Sequence, residues 1–316
     1  MQPIIELKSE LEGIIKLEVI KEDGTLKEAA GLNTPFYNLI TDVGLDYVSG
    51  TESITSATCY CRVGTSSTPP TVSDTALGSQ TGSVSNLGAL TNSVQYLTKP
   101  YYSKHQVVYT FNVGSVSGNL TEIGFFTSSS DGTMWSRALI KDSNGNPTTL
   151  TLLATEQLKV TYTVIRYIPA SLTGSFTLNT NGTNSTINYT ITPANISNFA
   201  NVWYEGYCGI TAMYIFARET DILGPVSSVP DGSYSGESSY PLPYVNGSFY
   251  RDSTTVFPVS STTFKSGIGS FTFWIGTSGA DYNTGYQCSF SPKIMKTSSQ
   301  TLNIGIRVSW GRTTQQ

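Results

Sequence analysis

The chain has 316 residues, enough for two ordinary domains, and only 13% of them are charged, whereas soluble domains usually have ~25%. A net charge of −4 without a basic stripe argues against a nucleic-acid partner, and the lack of an apolar run of ~18 residues argues against membrane insertion. Scarce charge leaves few groups for acid–base chemistry, whereas 19 tyrosines and 13 phenylalanines favour short strands.

Most charged clusters lie in residues 1–30. Apolar and polar residues alternate over 16–19, and Asp23-Gly24 follows, which predicts a strand, a tight turn and a return strand. Residues 3–12 also fit one face of a helix, and so short a run does not decide between the two. The start of the chain lacks a basic region followed by an apolar core, so we expect synthesis in a cytoplasm rather than secretion.

The clearest helical pattern runs from Thr34 to Gly50. Thr34 is a capping residue, Pro35 suits the first helical position, and Gly50 offers a stop. Apolar residues between them recur near helical spacing. The pattern predicts one short α-helix in the first half of the chain.

Strands are predicted on both sides of a proline-containing loop at 65–80. Four strand-like stretches then extend to residue 168, with Asp131-Gly132 and Asn144-Gly145 as turns. The sequence Tyr-Ile-Pro at 167–169 is typical of a domain boundary.

The second half restarts with a hairpin that turns at Asn181-Gly182 and ends in three further strands after a loop-rich stretch. We therefore predict a mainly β protein with two tandem β-sandwich-like domains, residues 1–168 and 169–316. The two halves share an order of hairpin, strand, long loop and strand hairpin, which suggests an ancient tandem repeat.

The four cysteines include no CxxC pair, and free buried thiols in a reducing compartment are the simplest interpretation. A metal site of Cys59, Cys61 and His105 is the alternative, although it lacks an obvious fourth ligand. His105 is the only histidine, so a Ser-His-Asp mechanism would have to use it. Its place on a predicted strand favours a packed side chain instead.

Acidic residues beyond the N-terminal segment mostly sit in turns, where they bond their own backbone. Glu122 and Glu205 are the exceptions, and no spacing singles out a catalytic pair. We expect no enzyme activity, no cofactor and no metal.

Aromatic clusters in the second half are the remaining candidates. Core packing explains many such clusters, but Tyr and Trp are also enriched at subunit interfaces. Sugar stacking by the loop at 231–251 is a third interpretation. The candidate interface residues are Trp203, Tyr204, Tyr207, Tyr240, Tyr244 and Tyr250.

Four pieces of the first half stand in a recognisable order: NLITDVGLDYV, CRVGTSSTPPTVSDTALGSQ, LTEIGFFTSSSDGTMWSRALI and LKVTYTVIRYI. Together they resemble a recurring domain of bacteriophage tail-fibre and virion structural proteins, over about residues 14–168. Residues 169–316 resemble no family that we can name.

The resemblance implies a structural protein of the virion rather than an enzyme. It would be a symmetric assembly component of the tail, collar or neck, or fibre base, in contact with other copies of itself and other virion proteins. Two alternatives are a receptor-binding module for host glycans or surface protein, and a capsid decoration or head-fibre protein. A third is a depolymerase that uses Glu122 and Glu205.

Overall fold

The computed structural model describes most of the chain, and strands dominate it, which confirms the predicted mainly β fold. The described residues are 4–28, 32–50, 52–85, 91–180, 182–196, 208–209, 212–259, 261, 264–276 and 283–314.

The elements of the first half are β1 (Ile4–Ile20), β2 (Phe36–Tyr37), β3 (Leu39–Ile40), α1 (Asp42–Tyr47), α2 (Ile54–Ala57), β4 (Tyr60–Gly64), β5 (Gln80–Ser85), β6 (Thr91–Gln95), β7 (Tyr101–Thr110), β8 (Gly118–Leu120), β9 (Glu122–Phe126), β10 (Met134–Leu139), β11 (Leu150–Leu152) and β12 (Gln157–Ile168). Those of the second half are β13 (Leu172–Thr180), β14 (Thr183–Pro193), β15 (Ala212–Arg218), β16 (Tyr234–Pro241), β17 (Tyr250–Phe257), β18 (Ile268–Gly276), β19 (Asn283–Ile294) and β20 (Leu302–Arg312).

A large sheet contains strands from both halves. Its order is β13-β14-β19-β18-β15-β16-β17-β20-β1-β12-β7-β6, with β2 attached to β1. A five-stranded sheet, β3-β10-β9-β4-β5, and a two-stranded sheet, β11-β8, lie apart from it. The halves meet where β1 pairs in parallel with β20, from Ile4 opposite Gly305 to Leu11 opposite Arg312.

Strand β1 is long because apolar residues alternate with polar ones along almost all of it, so one face is buried. The helical alternative for residues 3–12 is therefore wrong. Gly24 has φ +80°, which confirms the turn at Asp23-Gly24. The predicted return strand is reduced to a single bridge between Ile20 and Leu26.

The predicted helix from Thr34 to Gly50 is mostly wrong. Residues 36–40 form the short strands β2 and β3, and only α1 is helical, with Thr41 as its cap. The Thr41 hydroxyl accepts a hydrogen bond from Gly44 N at 3.0 Å, so capping starts the helix later than the Thr34-Pro35 signal indicates. A second short helix, α2, follows, where one helix had been predicted.

Strands that occupy corresponding positions along the two halves of the chain also lie in the same order within their sheets. In the second half β14-β19-β18-β15-β16 corresponds to β3-β10-β9-β4-β5 in the first, and β20 lies beside β17 as β12 lies beside β7. Loops 65–79 and 219–233 have the same length. This agrees with an internal duplication, which remains a hypothesis, as does the division into two sandwiches at residue 168.

Two hydrophobic clusters form the core, one for each half. The first takes Leu11, Ile15 and other residues of β1 together with Trp310 from the second half. The second takes Ile5 and Leu7 from the same strand. Each core is therefore completed by residues from the other half, and β1 belongs to both.

In the first core, polar side chains surround the Tyr162 hydroxyl, which accepts hydrogen bonds from Asn38 Nδ2 and Trp135 Nε1, each at 2.9 Å. The Tyr162 ring stacks on Phe125 with centroids 3.7 Å apart. Gly13 lies against this group: a Cβ there would come within 1.9 Å of Asn38 Oδ1 and 2.6 Å of the Tyr162 hydroxyl. These buried neighbours leave no room for a Cβ, so any residue larger than glycine is excluded at position 13.

We expect Gly13→Ala to lower the free energy of unfolding by about 1–3 kcal/mol, because the added methyl overpacks a buried site. Gly311→Ala is the control, since a Cβ at Gly311 meets nothing within 4 Å. Urea denaturation of both variants gives the comparison. Equal stability of the two variants would contradict the close packing around Gly13.

Candidate functional site

The loop at 65–79 is held by a buried carboxylate. Glu122, at the start of β9, has no exposed surface. It accepts hydrogen bonds from the backbone N–H groups of Ser66 at 3.2 Å, Gly78 at 3.1 Å and Ser79 at 2.8 Å. One carboxylate therefore accepts hydrogen bonds from backbone N–H groups at both ends of the loop. Its own buried oxygens gain the partners that buried polar atoms need.

Arg137 of β10 completes this network. Its guanidinium donates to Glu122 at 3.0 Å, to Asp74 Oδ2 at 2.6 Å and to the carbonyl of Thr68 at 2.9 Å. Burial acts to raise the pKa of Asp74, but hydrogen bonds from Thr71 and Arg137 outweigh it and lower that pKa. The carboxylate is therefore charged at neutral pH and ties the middle of the loop to the sheet.

The resembling sequence pieces meet in this region. Thr41 of the first piece donates through its hydroxyl to the carbonyl of Met134 in the third, at 2.5 Å. Gly44 passes so close to β10 that a Cβ would come within 2.3 Å of the Trp135 carbonyl oxygen. Thr41 and Gly44 are therefore needed for the packing of α1 against the β9–β10 hairpin.

This geometry bears on the catalytic alternative. The Glu122 side chain is enclosed by the chain's own donors, so it does not line a substrate cleft as the depolymerase hypothesis requires. Glu205 lies outside the described residues. The bonds that Glu122 and Arg137 make in the structure hold the loop at 65–79 against the sheet.

The alternative metal site is wrong. Cys61 is buried in the first core, while His105 lies buried on β7 with Nδ1 3.0 Å from Asn92 Oδ1. Across the part of the chain that the structure covers, no three His, Cys, Asp or Glu side chains are placed to hold a metal ion. All four cysteines are free, as predicted.

Tyr244 joins a loop of the second half to helix α1 of the first. Its hydroxyl donates to Asp46 Oδ1 at 2.5 Å, and the same oxygen accepts from Gly247 N at 2.8 Å. Burial and the Asp46 carboxylate raise the pKa of Tyr244, so the hydroxyl stays protonated as a donor. Phe249 N in turn donates to the Tyr244 hydroxyl at 3.3 Å.

Strand β20 adds three more contacts to this seam, through Trp310 and Arg312. Trp310 stacks on Tyr244 with ring centroids 5.8 Å apart and donates through Nε1 to the carbonyl of Leu45 at 2.9 Å. Arg312 pairs with Asp42 at 2.5 Å. The loop at 242–249 is therefore fastened on two sides.

Beside this fastened loop lies an exposed apolar surface, which we call the outer patch. Its exposed residues come from β1, β16, β17 and the loop that follows β16. Tyr240 and Ile4 belong to one cross-strand row, because Tyr240 pairs with Thr254, which pairs with Gly305, which pairs with Ile4. The patch comprises Ile4 (42% exposed), Tyr240 (75%), Leu242 (51%), Val245 (69%) and Val256 (45%).

An ion pair borders the outer patch. Arg307 of β20 donates to both carboxylate oxygens of Asp252, at 2.7 and 2.9 Å. The guanidinium also lies 3.5 Å from the ring centroid of Tyr250. The charge at this edge is already neutralised and held in a bidentate geometry.

The three predicted interface tyrosines that the structure describes lie in different surroundings. Tyr240 is exposed in the outer patch, Tyr244 is an internal anchor, and Tyr250 lies under Arg307. Trp203, Tyr204 and Tyr207 lie outside the described residues. Sequence reasoning missed Leu242 and Val245, whose only signal was their place between prolines and glycines of the same loop.

Sugar stacking by the loop at 231–251 stays a prediction. A cleft with aromatic walls lies elsewhere, with a volume of about 600 Å³ and a lining that includes Glu10, Lys99, Tyr101 and Tyr167. This cleft is a second place in the structure where aromatic rings border a depression.

Comparison with known proteins gives no relative: no family model, no curated protein and no solved structure matches the chain. Among the helices of the described residues, none is long and apolar enough to cross a membrane.

We expect Glu122→Gln to lower the free energy of unfolding by about 3–5 kcal/mol, because it leaves the buried Arg137 without part of its counter-charge. Glu18→Gln is the control: its ion pairs with Lys16 and Lys159 involve partly exposed lysines, and each is worth at most about 1 kcal/mol. Urea denaturation measures both. A small, equal effect would show that the loop does not depend on Glu122.

Tyr244→Phe should lower the free energy of unfolding by about 1.5–3 kcal/mol, since it removes a hydrogen bond to a charged group while it keeps the ring. Tyr250→Phe, whose ring contact with Arg307 persists, should have little effect. Chemical denaturation compares the two, and limited proteolysis follows release of the loop at 242–249. If the two variants match the parent chain, Tyr244 does not anchor the loop.

Proposed function

We propose that this chain is a structural, assembly-forming protein of a bacteriophage particle, and that the outer patch is where it binds a neighbouring virion protein. The observation that carries the proposal is a group of exposed apolar residues on one sheet face and on the adjoining loop, which is held in place by internal bonds. The preferred location is the tail, collar or neck, or fibre base.

Exposure alone does not mark an interface, because single exposed apolar residues are common. Here Tyr240, Leu242 and Val245 lie close together along the chain, while Val256 lies on the adjacent strand β17 and Ile4 lies on β1, beyond β20. Apolar residues exposed as a group on one face of a sheet are a feature of binding sites. Tyrosine, which Tyr240 supplies here, is enriched among the residues that carry most of the binding energy at protein interfaces.

Rigidity strengthens this argument. A loop that must be ordered when a partner binds loses part of the binding free energy. The loop that carries Leu242 and Val245 is already ordered by Tyr244, Gly247 and Arg251, whose Nε donates to the carbonyl of Leu242 at 2.9 Å. A partner would meet a preformed surface.

Low charge is consistent with burial of such surfaces between subunits. Burying an unpaired charge is costly, and at the edge of the outer patch Arg307 and Asp252 are already paired. The placement in a phage particle is supported by the resemblance of residues 14–168. The proposed binding surface is supported by the exposed residues of the outer patch, most of which lie in residues 169–316.

The proposal is tested on particles of the phage that encodes the chain, by immunogold labelling with an antibody to it. Leu242→Glu should reduce the labelled copies per particle by about tenfold or more, since a charge in a buried patch removes at least about 1.4 kcal/mol. Leu97→Glu, at a leucine that is 78% exposed and outside the patch, should leave the label unchanged.

The position of the label separates the alternatives. Label at the tail or neck supports the proposal, and label on the capsid moves the protein to the decoration class. If no particle is labelled, the virion assignment is overturned. If both glutamate variants are incorporated like the parent chain, the outer patch is not the docking surface.

A further inference from the structure

Strand β13 forms one end of the large sheet. It pairs with β14 over its whole length, from Leu172 opposite Ile191 to Thr180 opposite Thr183, without a register shift. Its other side faces no strand among the described residues. Every second backbone position along this side therefore presents a donor and an acceptor to whatever lies beyond the sheet.

Such edges are normally protected against pairing with other chains by charged residues, prolines, bulges or short length. The stretch from 169 to 204 contains no charged residue. Strand β13 has nine residues, no proline and no bulge. The other end of the sheet, β6, has only five residues. The absence of all these protections at a long edge is expected where a partner strand covers it.

We propose that β13 pairs with β13 of a second copy of this chain, antiparallel and centred on Phe176. A neutral strand can pair with itself without bringing like charges together, which a charged edge does not allow. The large sheet then continues from one copy into the next across a twofold axis, and the interface uses the same strand from both copies.

The alternation of side chains fits this arrangement. Leu172, Phe176 and Leu178 lie on the more buried face, while Thr173 and Thr177 are exposed on the other. In an antiparallel pair centred on Phe176, each residue meets one of the same face in the second copy. Both copies therefore keep their apolar residues on one side of the joined sheet.

The centre of the pairing is already packed from within. Phe176 is 8% exposed, and its ring lies 6.2 Å from the ring centroids of Tyr189 and of Phe290. The second copy's Phe176 would extend this aromatic layer across the axis. The pairing uses a surface separate from the outer patch and does not depend on it.

Sedimentation of the purified full chain over a range of concentrations tests the proposal, with a reversible dimer expected. Thr177→Lys places a charge on the exposed face near the axis and should weaken dimerisation about tenfold or more. Thr190→Lys is the control: it lies on β14, between β13 and β19, one strand in from the edge, and should dimerise like the parent chain.

Charge complementation identifies the partner. Thr177→Lys and Thr177→Glu should each be largely monomeric alone, whereas an equal mixture should recover the dimer, because opposite charges then meet across the axis. A monomeric parent chain overturns the proposal. So does a Thr177→Lys chain that dimerises normally, or a mixture that stays monomeric, which would mean that β13 pairs with a different strand. Loss of particle label in the Leu242→Glu variant with an intact dimer would leave this pairing standing.

Discussion

Strands β1 and β20, the first and last that the structure describes, lie side by side in parallel. The two hydrophobic cores and the position of the loop at 242–249 depend on this pairing. Parallel neighbours need a long connection between them, and here the connection is nearly the whole chain. Strand β1 supplies Ile5 and Leu7 to one core and Leu11 to the other. Strand β20 places Trp310 and Arg312 against α1, which in turn receives Tyr244 and fixes the loop beside the outer patch.

Several charged side chains are buried and bond to groups of the chain itself. Arg137 holds the loop at 65–79, and Arg62 donates to the carbonyls of Ser128 and Ser130 in the β9–β10 turn. Only 13% of all residues are charged, so the chain as a whole offers few charges that would be costly to bury. A neutral surface can be buried against another protein at low electrostatic cost, which is the physical basis for proposing an assembly role.

Local chemistry made part of this fold predictable. The alternation in β1 and the glycine turns at Gly24 and Gly182 follow from short-range rules. The helix failed because residues 36–40 found partners in distant strands, which outweighed local propensity. The β1–β20 pairing and the Tyr244–Asp46 contact join residues far apart in sequence, so no local signal reveals them. Tyr240 was identified from composition, but its exposure was visible only in the structure.

Native-state hydrogen exchange of the full chain, followed by mass spectrometry, tests the β1–β20 join most directly. The account predicts that amides of residues 4–11 and 302–312 fall in the slowest class, and that the cores of both halves lose protection together under increasing denaturant, since β1 belongs to both. Separate loss of protection in the two halves, with β1 and β20 exchanging early, would contradict a single sheet built on that pairing.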